Sequence, residues 1–192
     1  MDRLVILDRD GVINEDSDAY VKSVDEWLPI PGSIEAIARL SQADYTIVVA
    51  TNQSGIGRGL FDLDDLEAMH AKLSDLVLNA GGELAGIFYC PHTPEDNCQC
   101  RKPAPGLLDA IAKEFELSSL SGIPIVGDSL RDLQAGLHHH CTPMLVRTGK
   151  GKKTEPLLIE QNEPALQHSL IFDDLSQVAD YLLANEPVKA AL

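Results

Sequence analysis

Four short clusters in this 192-residue chain carry groups able to do chemistry together. Asp8-Arg9-Asp10-Gly11 follows the apolar run Leu4–Leu7. In an extended chain, residues i and i+2 project to the same side. The two carboxylates then share a hard divalent cation, which suppresses their repulsion. One is free to attack phosphorus while the other handles the leaving-group proton, and Gly11 lets the chain turn away. Thr51-Asn52-Gln53-Ser54-Gly55 offers small hydrogen-bonding side chains and backbone N–H groups suited to a phosphoryl group. Arg101-Lys102-Pro103 places two cations at a helix entrance, against the helix dipole. An anion held between them and the helix would resolve that conflict. Val126-Gly127-Asp128-Ser129 adds a third carboxylate, and Asp132 follows, either orienting its neighbours or simply favouring a first helical turn.

Each cluster alone has an ordinary alternative: a polar turn, a second turn, a solvated basic pair and an N-cap, respectively. Their order along the chain decides between the readings, because each falls at the carboxyl end of an expected strand. Those strands are 4–7, 46–50, 87–89, 123–126, 144–146 and 170–172; the helices are 32–42, 62–79, 105–116, 129–138 and 175–184. Leu63, Leu66, Met69, Leu73, Leu76 and Val77 mark one face of the second helix. Alternation of this kind predicts an α/β fold, a three-layer Rossmann-like mostly parallel sheet with helices on both faces, in one domain over 1–192. Ligands bind such sheets at the strands' carboxyl ends. Segment 148–168, rich in Gly, Lys, Pro and Glu, reads as an excursion or long loop, and the terminal EPVKAAL as frayed.

Cys90-Pro91-His92, five further residues, and Cys98-Gln99-Cys100 form a second candidate site. Three thiolates and one imidazole match a closed tetrahedral Zn²⁺ site with no position for water, hence a structural one. It ends directly before Arg101 and Lys102 and would fix both cations. A labile disulfide or free thiols are the competing readings. Cys141 reads as a buried thiol and His138–His140 as a helix-to-strand connection; His70 and His168 are assigned nothing.

The formal net charge of -15 argues against nucleic acid as a partner, since phosphate neutralisation needs a basic face. No segment reaches the ~18 to 20 apolar residues of a membrane span, and Leu4–Leu7 is too short for a signal peptide. A cytoplasmic monomer is the expectation.

Over Asp8 to Asp132 the four motifs, in order, resemble the haloacid dehalogenase superfamily of phosphohydrolases. The resemblance implies Asp8 as nucleophile, Asp10 as general acid and base, Thr51 as a hydrogen-bond partner of the transferring phosphoryl, and Lys102 as the cation offsetting charge. It also implies Mg²⁺ held by Asp8, Asp128 and the backbone carbonyl of Asp10. About forty residues separate Asp10 from Thr51, and the stretch to Lys102 is similarly filled, so no large cap domain fits. Short loops must shape the pocket. Asp16, Ser17 and Asp18 suit polyol recognition, and Arg58 and Arg101 suit a second anionic group; the alternatives are an exposed acidic loop and a surface charge. With Tyr20, Thr51, Asn52, Gln53, Ser54, Lys102 and Ser129 they form the candidate substrate site.

Within the superfamily, Asp-Arg-Asp-Gly-Val-Ile-Asn, Thr-Asn-Gln-Ser-Gly, Cys-Arg-Lys-Pro and the zinc loop most resemble the bacterial D-glycero-D-manno-heptose 1,7-bisphosphate 7-phosphatase family. That implies hydrolysis at C7, feeding nucleotide-heptose and lipopolysaccharide core synthesis. Ser129, where some relatives carry a basic residue, and the short span from His92 to Cys98 depart from the pattern. Histidinol-phosphate phosphatase is the enzymatic alternative, and a noncatalytic zinc-stabilised interaction module the alternative of another class.

Overall fold

The first strand, β1 (Leu4–Leu7), reads Leu-Val-Ile-Leu and is buried throughout, as a strand covered on both faces must be. The computed structural model describes residues 3–161 and 163–185. It sets β1 at the middle of a six-stranded sheet with β2 (Thr46–Asn52), β3 (Gly86–Cys90), β4 (Pro124–Gly127), β5 (Thr142–Val146) and β6 (Leu170–Phe172). The order is β3-β2-β1-β4-β5-β6 and every pairing is parallel. The order reverses between β1 and β4, which opens a crevice above the carboxyl ends of β1, β2 and β4.

Alternate residues of β1 and β2 enter different cores. Val5, Leu7, Ile47 and Val49 pack with α1 (Ser33–Gln42), α3 (Leu63–Asn79) and α8 (Leu175–Ala184), through Ile37, Leu66, Met69, Leu73 and Val178. Leu4, Ile6, Val48 and Ala50 pack on the other face with Leu107, Leu108 and Ile111 of α4 (Gly106–Glu114) and Ala135 of α5 (Leu130–Leu137). Asp62 caps α3 reciprocally with Asp65, and Asp174 caps α8. A short α2 (Ser54–Gly57) fills the turn after β2.

The expected strands and helices are all present, with ends shifted by a residue or two. Segment 148–168 is the exception, because it is not a loop. It holds α6 (Gly151–Ile159) and α7 (Pro164–Gln167), despite Pro156 inside α6. Leu158 and Leu166 bury against Leu133 and Leu145, and this packing outweighs the poor local propensity. Arg147 pins the helix by pairing with both carboxylate oxygens of Glu155. Among the described residues, no helix is long and apolar enough to cross a membrane. The terminal EPVKAAL lies outside the described residues.

Candidate active site

Because β2 and β4 flank β1, the residues following these three strands meet above the sheet. Asp8 continues β1, its N–H donating to the Val126 carbonyl at 2.9 Å. Thr51, near the end of β2, is buried and faces the same cleft, as does Asp128 directly after β4. Parallel register alone thus brings together groups separated by more than a hundred residues in sequence.

Lys102 completes the centre. Asn52 holds its backbone on both sides: Lys102 N–H donates to Asn52 Oδ1, and Asn52 Nδ2 donates to the Lys102 carbonyl, each at 3.1 Å. The side chain then runs inward. Lys102 Nζ donates to the Ala50 carbonyl at 2.6 Å and lies 2.7 Å from Asp132 Oδ1 and 2.9 Å from Asp8 Oδ1. Burial works against the ammonium, but the charges of Asp132 and Asp8 outweigh it and raise the lysine above its ordinary pKa. Lys102 turns away from α4 and spends its charge on two buried carboxylates, which removes the conflict with the helix dipole.

Carboxylate oxygens of Asp8, Asp128 and Asp132 lie within 4.8 Å of one another. Burial, then the charge of Asp132, raises Asp8 to about 7; burial, then Asp132 and Asp8, raises Asp128 to about 8. Asp132 is fully committed elsewhere: Oδ1 to Lys102, and Oδ2 to the N–H and hydroxyl of Ser129. Asp8 Oδ1 is buried, and the Lys102 ammonium that it meets at 2.9 Å is shared with Asp132. Asp8 and Asp128 are therefore short of positive charge, in a set of hard oxygen donors that fits a small divalent cation. Asp128 is also held from behind. Lys150 N–H donates to its Oδ2 at 2.7 Å, and a Cβ on Gly11 or Gly149 would come within 2.1 or 2.2 Å of that oxygen. Both glycines have positive φ, so backbone conformation and space alike demand them.

The Asp10 carboxylate does not join this group, contrary to the i, i+2 expectation. The strand ends at Leu7, and the N–H groups of Val12, Ile13 and Asn14 fold back onto the Arg9 carbonyl. Asp10 thus sits in a turn, where strand alternation no longer applies. Its carboxylate accepts from Arg9 Nη2 at 3.0 and 3.1 Å, Asn14 Nδ2 at 2.8 Å and Gln53 Nε2 at 2.8 Å. Burial would raise Asp10, but Arg9 and the bonds from Asn14 and Gln53 outweigh it and hold it below the usual carboxylate range. Arg9 itself is completely buried and also donates to Gln53 Oε1.

Cys90, His92, Cys98 and Cys100 also converge. Sulfur–sulfur separations are 3.2, 3.5 and 3.6 Å, and His92 Nδ1 lies 3.3 Å from Cys100 Sγ and 3.6 Å from Cys90 Sγ. A tetrahedron with Zn–S near ~2.3 Å has edges of about 3.8 Å, so the donor set fits Zn²⁺. Burial pushes the Cys90 thiol to about 12. At Cys98 burial is overcome by bonds from Cys100 and the Arg101 N–H, leaving it at about 7. The loop is tied to the reactive centre by backbone: Gln53 N–H donates to the Cys90 carbonyl at 2.7 Å, and Gly106 N–H to the Gln99 carbonyl at 2.9 Å.

A cleft of about 220 Å³ lies over these groups. Asp8, Asp10, Asp16, Ser17, Asp18, Tyr20, Thr51, Asn52, Gln53, Ser54, Arg101, Asp128 and Ser129 line it. Arg58 and Lys102 do not: Arg58 lies 3.9 Å from Glu95, and the Lys102 ammonium is buried against Ala50, Asp8 and Asp132. Within the cleft wall the roles divide: Asn52 positions Lys102, Gln53 positions Asp10, and Ser129 caps α5 through Asp132.

Comparison with known proteins agrees with this geometry. Residues 99–178 match a HAD-hydrolase-like family profile, and residues 3–134 match that of the polynucleotide kinase 3 phosphatases. A D-glycero-β-D-manno-heptose-1,7-bisphosphate 7-phosphatase of Pseudomonas aeruginosa is 58% identical over 180 residues, 94% of this chain and 97% of that protein. The D,D-heptose 1,7-bisphosphate phosphatase of Bordetella bronchiseptica, solved with magnesium and phosphate, superposes with a TM-score of 0.89 at 52% identity, covering 96% of this chain and 99% of the other. The Burkholderia thailandensis enzyme gives a TM-score of 0.72 at 45% identity, covering 95% and 99%. The chain belongs to the D-glycero-β-D-manno-heptose-1,7-bisphosphate 7-phosphatase family of the haloacid dehalogenase superfamily.

In this heptose-bisphosphatase family member the cleft also contains Val21, Arg131 and Lys150, which the motifs do not mark, and Asp132, whose contacts with Lys102 and Ser129 fit the orienting role expected of it. Arg131 and Arg101 are close enough that, after burial, Arg131 is the next influence lowering the Arg101 pKa. A signal for Lys150 did exist. It lies past the end of β5, though not directly after it as Asp128 is after β4, so the strand-end rule reaches it only once 148–150 is read as a strand exit and not as linker.

Proposed function

We propose that the protein hydrolyses the C7 phosphate of D-glycero-β-D-manno-heptose 1,7-bisphosphate through an aspartyl phosphate on Asp8, supplying nucleotide-heptose synthesis. The observation that carries this reading is the setting of Asp8: a carboxylate at the floor of an open cleft, 2.9 Å from a buried lysine and grouped with Asp128. The β anomer follows the names of the relatives.

Asp8 attacks phosphorus as the bond from phosphorus to the sugar oxygen breaks, and Asp10 delivers a proton to the departing oxygen. Arg9 favours the ionised form of Asp10 in the free protein. An arriving phosphate adds negative charge beside it and raises its affinity for that proton. Water then attacks the phosphorus of the acyl phosphate, Asp10 accepts its proton, and inorganic phosphate and the Asp8 carboxylate are released. Lys102 and Thr51 stabilise charge on the transferring group. Asp8, Asp128 and the Asp10 carbonyl would hold Mg²⁺, which when bound would neutralise the charge shared by nucleophile and phosphate. Cys90, His92, Cys98 and Cys100 would hold Zn²⁺, which would serve the structure.

Arg101 and Arg131 supply cations for the second phosphate at the cleft mouth, where Ser129 supplies none. Asp16, Ser17, Asp18 and Tyr20 face the polyol. A steady-state comparison of both heptose bisphosphate anomers with histidinol phosphate tests the assignment. The β anomer is expected to show the highest kcat/KM, and a higher value for histidinol phosphate would overturn it.

A further inference from the structure

Lys150 stands outside the four signature clusters yet touches two functional regions at once. Its N–H donates to Asp128 Oδ2 at 2.7 Å, and its Nζ lies 2.6 Å from Asp16 Oδ2. The turn that carries it is built into the centre: Thr148 Oγ1 donates to the Gly11 carbonyl at 2.6 Å, and Gly149 has no room for a side chain against Asp128. Asp16 is mostly shielded, its side chain 17% exposed, and its other oxygen accepts from Ser17 N–H at 2.8 Å.

Asp16 sits near enough to Asp128 for the two charges to repel. A carboxylate brought from the β1–α1 loop toward a wall of Asp8, Asp128 and Asp132 needs a cation to stay there, and Lys150 provides it from the end of β5. The far part of the loop folds on itself, Lys22 Nζ donating to the Ala19 and Tyr20 carbonyls. Lys150 is thus an anchor that crosses the cleft, joining a metal-ligand candidate to the loop that meets the substrate's hydroxyls.

We propose that Lys150 is a specificity-determining positioning residue: by holding Asp16 it sets the Asp16–Val21 loop to recognise a polyhydroxylated phosphomonoester. The inference rests on the phosphatase reading above. Its consequence is selective, because a substrate without hydroxyls has little use for the loop, whereas a sugar phosphate loses its hydrogen-bond partners when the loop is displaced.

The test compares wild type, Lys150→Met, Lys150→Arg, Asp16→Asn and the Lys150→Met/Asp16→Asn double variant on heptose bisphosphate and on p-nitrophenyl phosphate, with thermal unfolding as a check of folding. Lys150→Met is expected to lower kcat/KM for the sugar, chiefly through KM, by about tenfold more than for the aryl phosphate. Lys150→Arg should recover most of that discrimination, and the double variant should discriminate no worse than Asp16→Asn alone. Equal losses on both substrates, unchanged discrimination, or independent contributions of the two residues would overturn the proposal. Wild type that turns over the aryl ester but not heptose bisphosphate would instead sink the substrate assignment. The same ratio is then read on the polyol phosphate that wild type prefers, so the role of Lys150 is still decided.

Discussion

Two clusters in this molecule are ready for a cation, and they are built on opposite principles. The carboxylates of Asp8 and Asp128 crowd together at the ends of central strands, burial and repulsion raising both, with a cleft above them. The donors of the cysteine loop use up a tetrahedron among themselves, on a loop at the sheet's edge strand β3. Open hard-oxygen coordination leaves room for a substrate, while closed thiolate coordination leaves none. The first arrangement stores unbalanced charge for chemistry; the second trades chemistry for rigidity. Rigidity matters here because Lys102 lies two residues beyond Cys100 and must reach Asp8 from the far side of β2.

The sharpest way to break this contrast is to remove the cation that bridges the two regions. Lys102→Met leaves Asp8 and Asp132 buried without their partner, so turnover should fall by about 10³-fold or more. The fold should lose ~3–5 kcal/mol of stability in denaturant titration, less when Mg²⁺ is present. Unchanged turnover would mean that the charge balance plays no part. Chelation separates the regions next: EDTA is expected to abolish activity, Mg²⁺ to restore it, and zinc to remain bound through both steps by metal analysis. Cys98→Ser should do the reverse, releasing zinc and lowering the melting temperature, with activity reduced only through the displaced Lys102.

Transmission between the regions is isolated by Asn52→Ala. Zinc content should be unchanged and kcat reduced by about tenfold, because the Lys102 backbone loses both side-chain bonds, worth ~1 kcal/mol each. The smallest effect is expected from Arg58→Ala, within about twofold of wild type on heptose bisphosphate, as for a surface ion pair. Arg131→Ala, inside the cleft, should raise KM by more than that, and the reverse ranking would show that the second phosphate lies nearer the zinc loop.

Much of this was legible in the sequence because the fold obeys a local rule. Apolar runs define the strands, parallel pairing aligns their ends, and residues that follow a strand therefore share a crevice. That is why Asp8, Thr51 and Asp128 are found from sequence alone, and why Cys90 to Cys100 reads as a closed loop. The orientation of Asp10 was not legible. Strand alternation fails one residue past Leu7, and the buried Arg9 that captures Asp10 looks, in sequence, like any charged turn residue. Lys150 was hidden for a different reason: α6 is stabilised by the distant contacts of Leu158 with Leu133 and Leu145, which composition cannot reveal. Arg58 closes the short helix α2 with its side chain exposed beside Glu95, a placement that the residue types around it do not reveal.

The claim beneath all of this is that Asp8 bonds to the phosphoryl group during turnover. Acid quenching of the enzyme during hydrolysis of heptose bisphosphate, followed by peptide mass spectrometry, reads it directly. A phosphate adduct on the peptide bearing Asp8, absent from a folded Asp8→Asn variant that does not turn over, is the expected result. An adduct on another residue, or a fully active Asp8→Asn protein, would contradict it.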